Sequence, residues 1–178
     1  METFSGSKEI TSTKTITLLR HAKSDWGNSQ LNDHDRPLNA RGRRSAPLIG
    51  RYMAENQIAS EVILASTALR AQQTLDLVVT QWTSRTPEIY CSQNLYLASP
   101  KAILSEVSKL SDNWNSVLIV GHNPGMGELA SILCGENLVF PTACLASFEL
   151  NVEKWQHLSL DLVGTGKKKH YCRPRELE

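Results

Sequence analysis

The chain has 178 residues, 40% of them hydrophobic, which is enough for one substantial core and too little for a second, cofactor-binding domain. Lys and Arg total 19 against 18 Asp and Glu, and a net charge of +1 gives no argument for nucleic acid or a membrane surface as partner. No signal-peptide pattern and no run of roughly 18 apolar residues is present, so a cytoplasmic protein without a membrane span is expected.

Residues 1–14 are polar and read as a flexible segment. Residues 15–19 form a short apolar β-type run that ends on the adjacent pair Arg20-His21. A helix is expected over 39–55, with Asn39 as cap, Ala46, Ile49 and Met53 at spacings of three and four, and Pro47 as a source of a kink. A strand at 62–65 meets a second helix, capped by Ser66 and running through Val79, with Arg70 in its first turns. A strand at 88–91 follows, then a helix opened by Ser99-Pro100 and running to Leu110, with proline where its missing N–H does no harm. The strand at 116–120 leads into Gly121-His122-Asn123-Pro124-Gly125, and a fourth helix stacks Met126, Leu129, Ile132 and Leu133 before Gly135 stops it.

Strands at 145–150 and 158–162 break this alternation. Only residues 151–157 separate them, too short for a parallel crossover, so an antiparallel hairpin at one sheet edge is expected. Leu158, Leu160 and Leu162 would then face the core, with His157, Ser159 and Asp161 outward. Residues 15–163 are taken as one domain, and 164–178, with Lys167, Lys168, Lys169, Arg173 and Arg175, as a basic flexible tail. The expected fold is α/β, a three-layer sandwich: a mostly parallel central sheet of about six strands with an antiparallel edge, and helices on both faces. Cys91, Cys134, Cys144 and Cys172 show neither a Cys-x-x-Cys pair nor a nearby His at ligand spacing, so reduced thiols and no metal site are expected.

Polar groups at the carboxyl ends of parallel strands sit where such folds place their chemistry. Neutral imidazole is a nucleophile, and guanidinium offers phosphoryl oxygens a planar, permanently charged fork of donors. Taken singly, Arg20-His21 reads as a solvated strand end, Arg70 as a helix-surface arginine and His122 as a loop histidine. Delivered by three strands to one edge, they point together to phosphoryl transfer.

Leu19-Arg20-His21-Ala22, Ser66-Thr67-Ala68-Leu69-Arg70-Ala71-Gln72-Gln73-Thr74 and Val120-Gly121-His122-Asn123 resemble the signature blocks of the histidine phosphatase, or phosphoglycerate mutase-like, superfamily. Within it, Arg20-His21-Ala22-Lys23-Ser24-Asp25-Trp26, Asp35-Arg36-Pro37-Leu38-Asn39 and Gly121-His122-Asn123-Pro124 are most similar to the small SixA-like phosphohistidine phosphatases. The resemblance runs from about Thr17 to Leu162. It implies that His21 is the nucleophile that becomes phosphorylated, that Arg20 and Arg70 bind the phosphoryl oxygens, and that His122 completes the pocket. It implies no cofactor and no metal, and a phosphorylated protein or a small phosphorylated molecule as substrate.

The chain departs from the superfamily pattern in three places. Ala22 replaces the usual Gly, which is tolerable if its φ is negative. No carboxylate follows the third strand before Glu106, and Asn123 stands where an acid-phosphatase branch has Asp. Both usual proton donors are therefore missing, which leaves Asp25, Asp33, His34 and Asp35, in the loop after the first strand, as other candidates. A missing acid favours phosphohistidine over phosphate esters, because imidazole leaves more readily than an alkoxide. The alternatives are a small-metabolite phosphomonoesterase or mutase, and a phosphoprotein-binding module without catalysis.

Overall fold

The computed structural model describes residues 13–83, 87–161 and 163–178. The expected flexibility of residues 1–14 therefore falls almost wholly outside it; of these residues Thr13 and Lys14 are described, and Lys14 opens the first strand. Strands β1 (Lys14–Arg20), β2 (Val62–Ser66), β3 (Glu88–Ser92), β4 (Ser116–Gly121), β5 (Leu145–Leu150) and β6 (Lys167–Cys172) form one sheet in the order β3-β2-β4-β1-β5-β6. The first four run parallel, and β5 lies antiparallel to both β1 and β6.

The apolar runs β1, β2 and β4 are central and buried on both faces, as continuous rather than alternating hydrophobicity requires. Helices α1 (Ala40–Glu55) and α2 (Leu69–Val79) cover one face through Ile49, Met53, Leu75 and Val78. Helices α3 (Pro100–Val107) and α4 (Gly125–Cys134) cover the other through Ile103, Leu104, Met126 and Leu129. The result is the three-layer α/β sandwich read from the alternation of patterns.

Most helix ends follow local chemistry. Asn39 caps α1 by accepting from Gly42 N, Ser99 caps α3 by accepting from Ala102 N, and Gly135 ends α4 in the left-handed conformation (φ 73°). Pro47 lies inside α1 without ending it. Helix α3 stops at Val107, three residues short of the expected Leu110. Ser66 is not a cap: it is the last residue of β2, Ala68 holds the cap position, and Ser66 Oγ serves the site described below.

The edge strand is also corrected. Residues 158–161 form no strand; Leu158 is buried, Leu160 is exposed, and Leu162 lies outside the described residues. The short turn Trp155–His157 intervenes, anchored by a fully buried Trp155 whose Nε1 donates to Trp114 O at 3.0 Å. The partner of β5 comes instead from the segment expected to be a flexible tail. Lys167, Lys168 and Lys169 are exposed along β6, where charge on an edge strand discourages pairing with another chain. Among the described residues, no helix is long and apolar enough to cross a membrane.

Candidate active site

Arg20, His21, Arg70 and His122 come together at the carboxyl ends of β1, β2 and β4. Strand β1 carries Arg20 as its last residue and His21 just beyond, and β4 carries His122 just beyond Gly121. Because β1 and β4 pair in register, Arg20 opposite Gly121, the two histidines leave neighbouring strands at the same level. Their ring centroids are 5.0 Å apart. Arg70, in the first turn of α2, enters from the far side of β4, and its Nε lies 3.3 Å from His21 Nε2.

The imidazole of His21 is oriented from both sides. Its Nδ1 lies 2.7 Å from the carbonyl of Ala22, which has no proton to give, so Nδ1–H donates and the lone pair belongs to Nε2. Burial first, then the Arg70 and Arg20 charges, push its pKa down to about 4 against the opposing bond to Ala22. His122 is 2% exposed, with Nε2 at 2.8 Å from Ser66 Oγ and Nδ1 buried without a partner. Burial, followed by His21 and Arg70, lowers its pKa to about 3.

Arg20 donates from Nη1 to Phe140 O at 3.0 Å, while its Nε is buried and unpartnered. Burial lowers its pKa from the ordinary guanidinium value. The backbone here is tightly held. Ala143 N bonds the carbonyls of both Arg20 and His21, and Thr74 Oγ1 accepts from Ala22 N while donating to Arg70 O. Ala22 is fully buried and is not among the left-handed residues, so its methyl group is accommodated where glycine is usual.

Of the four loop candidates for a proton donor, only Asp33 bonds to this cluster. Its Oδ2 accepts from Arg70 Nη2 at 2.9 Å and from the Tyr96 hydroxyl, and its Oδ1 pairs with Arg36 Nη1 at 2.8 Å. The Tyr96 hydrogen bond first, and then Arg70 and Arg36, hold its carboxyl below the usual range. Asp25 instead receives Gly27 N, His34 binds Thr67, and Asp35 faces His34. Glu106 is occupied elsewhere by Ser92, Asn94 and Lys109.

Tyr96 and Arg36 were not singled out in the sequence, and Ser66 was expected only as a helix cap. The ring centroid of Tyr96 lies 5.4 Å from that of His122, edge to face, in the segment that lacks the superfamily's acidic residue. That departure was the one signal for it. Ser66 and Arg36 sat inside the family-like blocks without a signal for a place in the site. Among the described residues, no group of three or more His, Cys, Asp or Glu is placed to hold a metal ion. All four cysteines are free, and burial raises the Cys144 and Cys172 thiols to about 12 and about 11, which keeps both as thiols at pH 7.

A parallel-sheet fold with two buried histidines and two arginines at its strand ends defines a class of phosphoryl-binding α/β proteins. Comparison with known proteins narrows this. The family model for the histidine phosphatase superfamily (branch 1) matches residues 16–90. An uncharacterised protein of Mycobacterium leprae is 36% identical over 157 residues, 80% of this chain and 93% of the relative. The structure of a candidate phosphohistidine phosphatase SixA from Nakamurella multipartitia superimposes with a TM-score of 0.78 at 25% identity, covering 91% of this chain and 96% of that one. A second such SixA, from Agrobacterium tumefaciens, gives 0.76 at 27% identity over 90% and 98%. The chain belongs to the histidine phosphatase superfamily, in its SixA-like branch.

Proposed function

We propose that the protein is a metal-independent phosphatase that works through a phosphohistidine on His21 and takes phosphohistidine on another protein as its substrate. The observation that carries this reading is the orientation of His21: the bond from Nδ1–H to Ala22 leaves a lone pair on Nε2, 3.3 Å from Arg70 Nε. A pKa near 4 keeps that ring neutral and nucleophilic at pH 7.

In the first step the Nε2 lone pair attacks phosphorus, the P–N bond of the substrate breaks, and its electron pair returns to the leaving imidazole. A substrate phosphohistidine that carries a proton on its other ring nitrogen departs as neutral imidazole, so the step balances without a general acid. Water then attacks the phosphorus on His21; the N–P bond breaks toward His21, and both water protons remain on the released dihydrogen phosphate. Charge that spreads over the equatorial oxygens is met by Arg20 Nε and by the Nε edge of Arg70. With the Ser66 hydroxyl donating to His122 Nε2, its acceptor at 2.8 Å, the His122 proton sits on Nδ1, a further donor to phosphoryl oxygen.

The state of Asp33 supports the choice of substrate. It is the one carboxylate found hydrogen-bonded to this cluster among the described residues, and Tyr96, Arg70 and Arg36 keep it ionised. An ionised carboxylate has no proton for an alkoxide, whereas phosphohistidine needs none. Loss of a general acid costs ester hydrolysis roughly 10²- to 10⁴-fold.

The test compares steady-state turnover of a phosphohistidine peptide with that of an alkyl phosphate, with and without chelator, and traps the enzyme for acid-labile phosphate. The expected result is chelator-insensitive turnover favouring the peptide, with label on His21 that His21→Ala abolishes. Efficient alkyl phosphate hydrolysis with none of the peptide overturns the substrate assignment, and turnover without label on His21 overturns the mechanism.

A further inference from the structure

The basic segment that follows β6 does not trail into solvent; it returns to the catalytic edge of the sheet. Strand β6 is antiparallel to β5, which is antiparallel to β1, so β6 and β1 point the same way. Leu19 pairs with Leu145, and Leu145 pairs with Cys172, which places these residues in one row across three strands. The step from Leu19 to Arg20 is thus matched by the step from Cys172 to Arg173. Two interstrand spacings separate them, about 10 Å.

Beside this row lies a cavity of about 210 Å³ whose lining includes Lys23, Arg41, Arg173 and Arg175, with Ser45 and Thr142. Each cation reaches it from a fixed piece of backbone. Lys23 is two residues past His21, and its carbonyl lies against Gly42 so closely that a Cβ there would come within 2.2 Å of it. Arg41 is in the first turn of α1, which holds no acidic residue. Cations at a helix start oppose the helix dipole, so this placement is unfavourable for the helix and favourable for a bound anion. Arg173 is shared with Glu176, whose Oε1 lies 2.8 Å from Arg173 Nε. Lys23, Arg41 and Arg175 form no ion pair with any described residue. For a chain of net charge +1, four cations around one small cavity is a strong local concentration.

We propose that this cavity receives an acidic side chain of the phosphorylated protein, about three residues from the phosphohistidine, and so selects among protein substrates. The inference rests on the functional reading above. About 10 Å is long for a compact metabolite to bridge and is three residues of extended peptide at about 3.3 Å each. Residues 139–142, which run between the cavity and Arg20, provide the floor over which such a peptide passes, since Val139, Pro141 and Thr142 line the cavity and the Phe140 carbonyl holds Arg20.

The experiment measures kcat/KM for phosphohistidine peptides in which one Glu, or Gln as its neutral counterpart, is moved through the flanking positions. In the wild-type chain Glu is expected to raise kcat/KM about three- to tenfold over Gln, through KM, with its maximum about three residues from the phosphohistidine. In Lys23→Gln/Arg175→Gln the Glu-to-Gln ratio falls to about one at each position, whereas Lys167→Gln/Lys169→Gln, on β6, retains it. Absence of a Glu preference in the wild-type chain, or a preference that survives the first double variant, overturns the inference. Absence of any turnover of the peptides and of phosphoramidate by the wild-type chain is a different outcome: it removes the functional reading, and the inference with it.

Discussion

Strand β1 carries a cation at each end, Lys14 buried and Arg20 half-buried with its Nε out of solvent, and the two ends treat them in opposite ways. At the start, Lys14 is 1% exposed, and its ammonium donates to Asp112 O and Trp114 O at 2.7 Å each and to Asn115 Oδ1 at 3.1 Å, beside the face of Trp155. All three N–H groups are used, and the charge locks a loop onto the sheet. About 20 Å away, at the other end, Arg20 bonds Phe140 O and keeps Nε buried without a partner. His122 Nδ1, its neighbour in the cluster, is likewise unpartnered. An orphaned buried donor costs roughly 1–3 kcal/mol, so the fold tolerates at one end of β1 what it avoids at the other. A saturated buried cation is a structural fastening; a cation with a buried donor left free beside a neutral histidine is what the proposed phosphoryl binding requires.

Substitution breaks this comparison in two complementary ways. Arg20→Lys removes the guanidinium fork and its Nε, and is expected to lower kcat/KM for a phosphohistidine peptide by about 10²- to 10³-fold while the urea midpoint stays close to that of the wild type. Lys14→Met should do the reverse. Two carbonyls and the Asn115 side chain lose a charged donor, so unfolding free energy is expected to fall by about 2 kcal/mol, with kcat/KM per folded molecule unchanged. A stability loss from the arginine change as large as that from the lysine change would mean that both ends of β1 serve the fold alone.

The meeting of Arg20, His21, Arg70 and His122 was legible in the sequence, because its signals are local and repeated: an apolar run, then a cationic or imidazole residue, at β1, at the start of α2 and after β4. Periodicity placed all four helices for the same reason, and Asn39, Ser99 and Gly135 announced their ends. What it missed depends on pairing across the chain. Leu158, Leu160 and Leu162 alternate as an edge strand should, yet buried Trp155 ties that region into a turn and Leu160 faces solvent. The true edge strand reads as a charged tail because Lys167, Lys168 and Lys169 hide the β pattern, and only backbone pairing with β5 reveals it. Within the site, Asp33 was one of four indistinguishable candidates, three aspartates and a histidine, in a polar loop until Arg70, Arg36 and Tyr96 converged on it. Tyr96 lies 63 residues from Asp33, beyond the reach of any spacing rule.

A subtler effect sharpens the contrast through pH. His21 and His122 have pKa values of about 4 and about 3 in the folded chain against an ordinary 6.5, chiefly because burial penalises their charged forms. As pH falls through 6.5, the unfolded chain takes up protons that the folded chain refuses, so stability declines until the folded-state values are reached and then levels off. Asp33 acts in a lower window: its folded pKa lies below 3.8, so its contribution is lost only as pH falls through that range. Ring-resolved NMR titration should therefore find both site histidines neutral at pH 5.5, and urea midpoints should drop between pH 6.5 and about 4. His122→Asn should flatten part of that slope, whereas Lys14→Met should lower the midpoint at every pH and leave the slope intact. An ordinary midpoint near 6.5 for His21 would show that it is solvated or paired with an anion, and it would remove the reason for expecting a neutral nucleophile at pH 7.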